Sequence, residues 1–352
     1  VRAVRIRDRG VPSVADALDD EIGVWVVKRT AHTSDLVLRG LSGSNLLALV
    51  DGNTLSTFWG EGGFAGDDMY GKIDAGMIDR IEVVRGPVSV LYGSNALGGV
   101  VNFITKRSPF DYRCDSRVCV GAKSYFLAST SPSMWRARQE VYGAYRNLRW
   151  FGGASYWDAG GTEDGAGQVQ RPTGGEGLFA DLALNYRITP STFLEFTVQY
   201  TRNDSVRRYY RPTQDNENHR LALAAQLDIL DLGRWGWLGD EAHLKLYYQD
   251  KEDRRFWYSS TTGALTQEGV ARWKTIQADL QFNRRLGCHR LTYGIELEST
   301  DGESADDEQF TVTPVGGTKM KAGPDSIWSS LGVYVHDEWT VNRWLTLTGS
   351  AR

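Results

Sequence analysis

No run of 18 apolar residues occurs anywhere in the 352-residue sequence, which excludes a membrane-spanning helix. That absence does not touch a membrane β-barrel, whose strands alternate in polarity and show little mean hydropathy. Cysteine is scarce: Cys114, Cys119 and Cys288 provide no disulfide framework. In an extended chain Cys114 and Cys119 would stand roughly 16 Å apart, so a bridge between them needs a turn, and unpaired thiols are the expectation. Neither sign of charge dominates, with 40 basic against 44 acidic residues and a net charge of −4, so the signature of nucleic-acid binding is missing. The five histidines, His32, His219, His243, His289 and His336, are scattered without ligand spacing. No Ser/His/Asp or Cys/His arrangement is recognisable, and no enzyme is expected. The opening VRAVRIRDRG holds no apolar signal core, so the chain is expected to be mature or to lack its beginning.

What is abundant points to β structure. A 41% hydrophobic and 24% charged composition excludes a disordered polyelectrolyte. The 39 glycines, 12 Trp and 16 Tyr against 9 prolines suit many β-turns and many interfacial aromatics. The densest glycine stretch, RGPVSVLYGSNALGGVVNFITKR at 85–107, first raises a phosphate-binding loop. Its spacing fails, because Gly98 is followed by Gly99 and Val100 rather than by Lys and Ser or Thr. Its glycines also precede a strand-like run instead of following one. Turns that need positive φ or close backbone packing are the better account of Gly86, Gly93, Gly98 and Gly99.

Two halves follow different patterns, with the boundary expected near residue 108. In 1–108, short apolar runs joined by glycine-rich turns read as strands of a small buried sheet: Val24–Val27, Leu36–Leu38, Leu46–Val50, Ile81–Val84 and Val100–Ile104. Ser13 can cap a short helix, with Asp16 three residues on and Val14, Ala17 and Leu18 on one face. From about residue 115 long segments alternate strictly. Leu194, Phe196, Val198 and Tyr200 oppose Glu195, Thr197, Gln199 and Thr201, and the pattern repeats at 178–187, 243–249 and 291–298. A soluble sandwich would alternate in the same way. The connections discriminate: among about eleven strands of roughly 9 to 13 residues, tight links near Asn147, 189–191, 286–288 and 341–343 alternate with long polar loops at 158–176, 203–218, 253–271 and 300–326. Short turns at one end and long loops at the other are the layout of an outer-membrane barrel.

The first 107 residues resemble the plug domain of TonB-dependent outer-membrane receptors, through VPSVADAL at 11–18, LVLRGLSGSNLLALVDGNTL at 36–55 and IDRIEVVRGPVSVLYGSNALGGVVNFITK at 78–106. GVYVHDEWTVNRWLTLTGSAR at 332–352 looks like a mid-barrel hairpin of the same family. The resemblance implies an α+β plug domain, residues 1–108, followed by a transmembrane antiparallel β-barrel, residues 109–352, holding about half of the roughly 22 strands of the complete fold. An open half-barrel would leave unpaired backbone groups in lipid, so a longer protein is expected, with its TonB box ahead of this chain. The implied function is uptake of a scarce nutrient across the outer membrane of a Gram-negative bacterium, most often a ferric siderophore, with a TonB-type energy-coupling protein and outer-membrane lipid as partners. Haem, cobalamin and oligosaccharides are alternative cargoes of the same architecture. No cofactor is implied. A passive porin and a soluble β-rich binding protein are the rivals from other classes; the plug motifs oppose the first, and an exposed apolar band flanked by aromatics would oppose the second.

By the same resemblance Arg39 and Arg85, in the LRG and VRG motifs, lock the plug to barrel carboxylates. Ligand contacts are expected from the plug apex, at Phe58, Trp59, Asp67, Asp68 and Tyr70, whose aromatics could stack a flat ligand or merely pack against the wall. A second expected contact is the extracellular run Arg207, Arg208, Tyr209, Tyr210 and Arg211, which suits an anionic aromatic iron chelate, lipopolysaccharide phosphates or plain solvation. The acidic run Asp301, Glu303, Asp306, Asp307 and Glu308 fits no EF-hand spacing and reads as solvated. Any metal site is left unknown.

Overall fold

In the computed structural model the described residues are 6, 10–28, 34–55, 70–86, 96–111, 118–130, 133–170, 173–208, 211–303, 310–314, 320–321 and 326–352. The N-terminal part forms two small sheets. Strands β1 (Val24–Lys28), β2 (Ser34–Leu38) and β3 (Leu41–Ser42) make an antiparallel meander. Strands β4 (Leu46–Val50), β5 (Asn53–Thr54), β6 (Ile78–Arg85) and β7 (Gly99–Thr105) form a mixed sheet in the order β5-β4-β7-β6, with β4 parallel to β7. All five apolar runs read from the sequence are strands. They close over a core that includes Val14, Leu18, Leu36, Leu38, Val50, Ile81, Val101 and Phe103. The expected first helix is a single 3-10 turn, Ala15–Leu18. Its N-cap is Val14 and makes no side-chain bond, but the Ala15 amide donates to Ser13 Oγ and the Ser13 amide to Asp16 Oδ2, each at 3.3 Å.

The glycines of the 85–107 stretch have a steric reason where they are described. Gly99 has φ +144°, and a Cβ there would stand 2.3 Å from the Val84 carbonyl oxygen across the β6–β7 ladder. Gly93 lies outside the described residues.

From residue 119 onward one antiparallel wall builds up by nearest-neighbour hairpins. Its eleven long strands are β8 (Cys119–Thr130), β9 (Ser133–Tyr145), β10 (Leu148–Ala159), β13 (Gly174–Thr189), β14 (Thr192–Arg208), β15 (Arg211–Ile229), β16 (Glu241–Tyr258), β17 (Leu265–Leu286), β18 (His289–Glu303), β21 (Ser326–Asn342) and β22 (Leu345–Ala351). Short β11 (Thr162–Glu163) and β12 (Val169–Gln170) pair with each other above the β10–β13 link. Short β19 (Phe310–Pro314) and β20 (Met320–Lys321) extend the tip of β17. Within the described residues, β8 and β22 each have one neighbour, so both are edges.

Two expectations change. Much of the loops expected at 203–218 and 253–271 is strand, because β14–β15 and β16–β17 run on as hairpins whose polar residues pair across the ladder. Cross-strand pairing overrides the low β propensity of their Asn, Asp and Arg residues. Cys119 is disulfide-bonded, against the expectation of free thiols, whereas Cys288 is a free, exposed thiol. Cys114 lies outside the described residues.

The wall is apolar outside and polar inside. One ladder row runs Leu184, Phe196, Ala225, Leu246, Ala278, Leu297, Leu331. In it Phe196, Leu246, Leu297 and Leu331 are exposed. On the opposite face Thr197, Gln199, Thr201, Asn218, Arg220 and Gln249 are buried. Polar residues withdrawn from solvent behind a band of exposed leucines invert a soluble sheet and match a barrel whose outside meets hydrocarbon.

Candidate functional site

The buried face of the wall holds the N-terminal unit through a seam of polar contacts, and the sequence around Asp74 explains how it forms. Asp74, in extended conformation, joins the 3-10 turn Tyr70–Lys72 to the next one, Ala75–Met77, and caps the latter, accepting from the Gly76 amide at 2.9 Å. Its other oxygen faces the wall, where Arg138 Nη1 lies at 3.1 Å, Arg136 lies 3.6 Å from Oδ1, and the Ser155 hydroxyl donates. Asp74 is wholly buried. Burial alone would raise its pKa, but the Arg136 and Arg138 guanidiniums, the Ser155 hydroxyl and the Gly76 amide together hold it below the ordinary carboxylate value. Arg138 is shared further, with Glu140 at 2.7 Å and Asp181 at 2.9 Å.

Three more ion pairs join the seam. Lys72, fully buried, meets Asp253 of β16 at 2.6 Å. Lys106 reaches Glu140 of β9 at 2.7 Å. Arg107 binds Glu195 of β14 at 2.5 Å and lies 3.4 Å from Asp51. Burial opposes the charge on Arg107, yet Asp51 and Glu195 raise its pKa above the usual guanidinium value. Backbone carbonyls join in: Thr201 Oγ1 donates to Lys72 O and Asn203 Nδ2 to Gly71 O, each at 3.0 Å, and Lys245 Nζ donates to Asp51 O. Beside this last contact a cavity of about 350 Å³ separates the β4–β5 turn from the wall, lined by Thr54, His243, Lys245, Tyr247, Asp279 and Tyr334.

The residues singled out in the sequence fall elsewhere. Arg85 lies 3.9 Å from Glu21 within the N-terminal unit. Arg39 is exposed, with φ 50°, at the β2–β3 turn. Tyr70 is corrected: it is buried and packs edge-on to Phe103 at 6.0 Å, so it belongs to the core and not to a ligand apex. Phe58, Trp59, Asp67 and Asp68 lie outside the described residues. In the 207–211 run Arg207 is bidentate to Asp215 across the hairpin, at 2.7 and 3.2 Å, and Arg208 pairs with Arg211 in the ladder. Tyr209 and Tyr210 lie outside the described residues. The seam residues themselves were missed. A signal existed in β9, where Arg136, Arg138 and Glu140 recur at every second residue opposite exposed Trp135 and Val141.

A polar-faced wall lying on a small unit of two sheets and 3-10 turns, tied to it by buried ion pairs, is the arrangement that a plug and part of a β-barrel make. Residues 1–100 match the family model described as the TonB-dependent Receptor Plug Domain. The ferric enterobactin receptor PirA of Pseudomonas aeruginosa is 31% identical over 196 residues, covering 51% of this chain and 26% of its own length. A second ferric enterobactin receptor of that organism is 28% identical over 263 residues, covering 66% and 33%. The vitamin B12 transporter BtuB of Vibrio vulnificus is 33% identical over 105 residues, covering 29% and 16%. Among solved structures the copper transporter OprC superposes with a TM-score of 0.79 at 16% identity, over 99% of this chain and 53% of that one. The siderophore receptor PirA from Pseudomonas aeruginosa gives 0.65 at 18%, over 99% and 54%. Residues 1–100 are thus similar to the plug domain of TonB-dependent receptors, and the strands that follow share the fold of the solved receptors' wall. The chain spans about a quarter to a third of the length of the two enterobactin receptors.

Proposed function

We propose that this chain is the plug-bearing part of an outer-membrane receptor of a Gram-negative bacterium. The receptor captures a ferric siderophore at the outer face and admits it when a TonB-type partner moves the plug. The observation that carries the reading is the seam: Asp74 with Arg138, and Lys72 with Asp253, are buried ion pairs that hold the plug against the polar face of the wall, where the lumen of a complete barrel would be. A passive porin needs that lumen open. The siderophore cargo is supported by the two enterobactin receptors, which match over more of the chain than the vitamin B12 transporter does.

In this reading the plug ends near residue 108. Phe58, Trp59, Asp67 and Asp68 with Arg207–Arg211 meet the ligand, and Arg39 and Arg85 brace the plug in the complete receptor. Titration of the full-length protein in detergent with ferric siderophores, haem and cobalamin, read by tryptophan quenching, tests the cargo. Saturable quenching by a ferric siderophore is expected; quenching by haem or cobalamin alone reassigns the cargo. Arg85→Ala in the full-length receptor is expected to raise the ion conductance of the closed pore, and unchanged conductance removes Arg85 from the brace.

A further inference from the structure

The end of the wall that carries the long hairpins bears a cluster that takes no part in the seam. Asp204 of β14 and Glu217 and His219 of β15 each offer one ligand atom, and these atoms all lie within 4.8 Å of one another. The cluster faces away from the plug. Its chain neighbours Asn203, Asn218 and Arg220 are buried on the lumen side, whereas Arg202 and Leu221, on the cluster's own face, are exposed.

A bulge brings the three together. Asn203 pairs with Asn218 and Val206 with Asn216, so Asp204 and Ser205 together oppose Glu217 alone. Ser205 takes φ 53°, in the left-handed region that non-glycine residues seldom adopt. Bulges re-aim side chains, and this one sets a carboxylate opposite a carboxylate, beside an imidazole one step further along the same face.

The local partners do not satisfy the cluster. Arg202 Nε donates to Asp204 Oδ2 at 2.6 Å, but Asp204 Oδ1 and His219 Nε2 are buried and have no hydrogen-bond partner among the described residues. Arg254, which faces Glu217 across the β15–β16 ladder, is engaged by Glu252 at 2.7 Å. With His219 neutral and its lone pair on Nε2, two buried atoms without partners and a second carboxylate fit one shared cation. One imidazole and two carboxylates suit a borderline first-row ion better than Ca²⁺ or Mg²⁺, which favour oxygen alone.

We propose that Asp204, Glu217 and His219 form a divalent transition-metal site on the outer face of the wall, clipping β14 to β15 where the bulge interrupts their ladder. Sequence spacing hides it, because His219 and Asp204 meet only through strand pairing.

The test uses the full-length receptor in detergent, stripped with a chelator, dialysed against Zn²⁺ and assayed for bound zinc. Wild type is expected to retain about one ion per chain more than His219→Ala or Glu217→Gln. His289→Ala, which alters a histidine paired with Asp337 on other strands, is expected to match wild type. Zinc should also raise the unfolding temperature of wild type and leave that of Glu217→Gln unmoved, a readout that survives if His219→Ala misfolds. Equal zinc in wild type and Glu217→Gln overturns the proposal, and so does a wild type that retains none.

Discussion

Asp74 carries more of the seam than any other carboxylate, since two guanidiniums and a hydroxyl converge on it out of solvent. Asp74→Asn leaves Arg136 and Arg138 partly uncompensated. Breaking a buried pair costs about 3–5 kcal/mol, and the low end is expected because Arg138 keeps Asp181 and Glu140. Denaturant unfolding of the full-length receptor measures it. Because the folded pKa of Asp74 lies below its unfolded value, its stabilisation is present above about pH 4 and is lost as pH falls through the lower folded value. Limited proteolysis of the plug should therefore stay flat from neutral pH down to about 4 and rise below it, with Asp74→Asn already cleaved faster at neutrality. Nicking that rises equally at pH 5 would assign the change to other carboxylates. Gly99→Ala is a backbone test of a different kind: with φ +144° and the Val84 carbonyl in the way, it should destabilise the plug by about 1–3 kcal/mol, read as a lowered unfolding midpoint.

At the scale of elements, the outward row through Phe196, Leu246, Leu297 and Leu331 should behave as a lipid-facing band. Leu246→Arg is expected to cost about 2–4 kcal/mol in bilayer refolding of the full-length receptor. An equal cost for arginine at Leu246 and at exposed Thr266, near the long-hairpin end, would contradict a bilayer centred on that row. This band was legible beforehand because a period of two survives any choice of partners: Leu194 and Phe196 had to share a face whatever lay opposite. The plug strands were legible for a similar reason, as each is a local apolar run. The length of β14 to β17 was not, since Asn203 to Asn218 reads as loop by propensity and becomes strand only through its neighbour. The seam was illegible in another way. Asp74 and Arg138 are 64 residues apart, and nothing local marks either as a partner of the other. Tyr70 misled because an aromatic amid glycines suits both an apex and a core, and only packing on Phe103 decides.

For the whole molecule, the two wall edges dominate. β8 and β22 each present one unpaired ladder side within the described residues, and such edges in hydrocarbon recruit other strands. Residues 1–352 produced alone should form mixed oligomers in detergent by size-exclusion chromatography; a single monodisperse monomer would mean that the edges are covered in some other way. The polar character of the seam has a mechanical meaning as well. A joint made of ion pairs and carbonyl contacts yields to sliding gradually, because water entering the gap solvates each group as its partner leaves. The core around Leu38, Val101 and Phe103 has no such substitute, since water there would meet only carbon. Under a pull on the plug, slip along the wall is therefore the soft mode and unravelling of the core the stiff one.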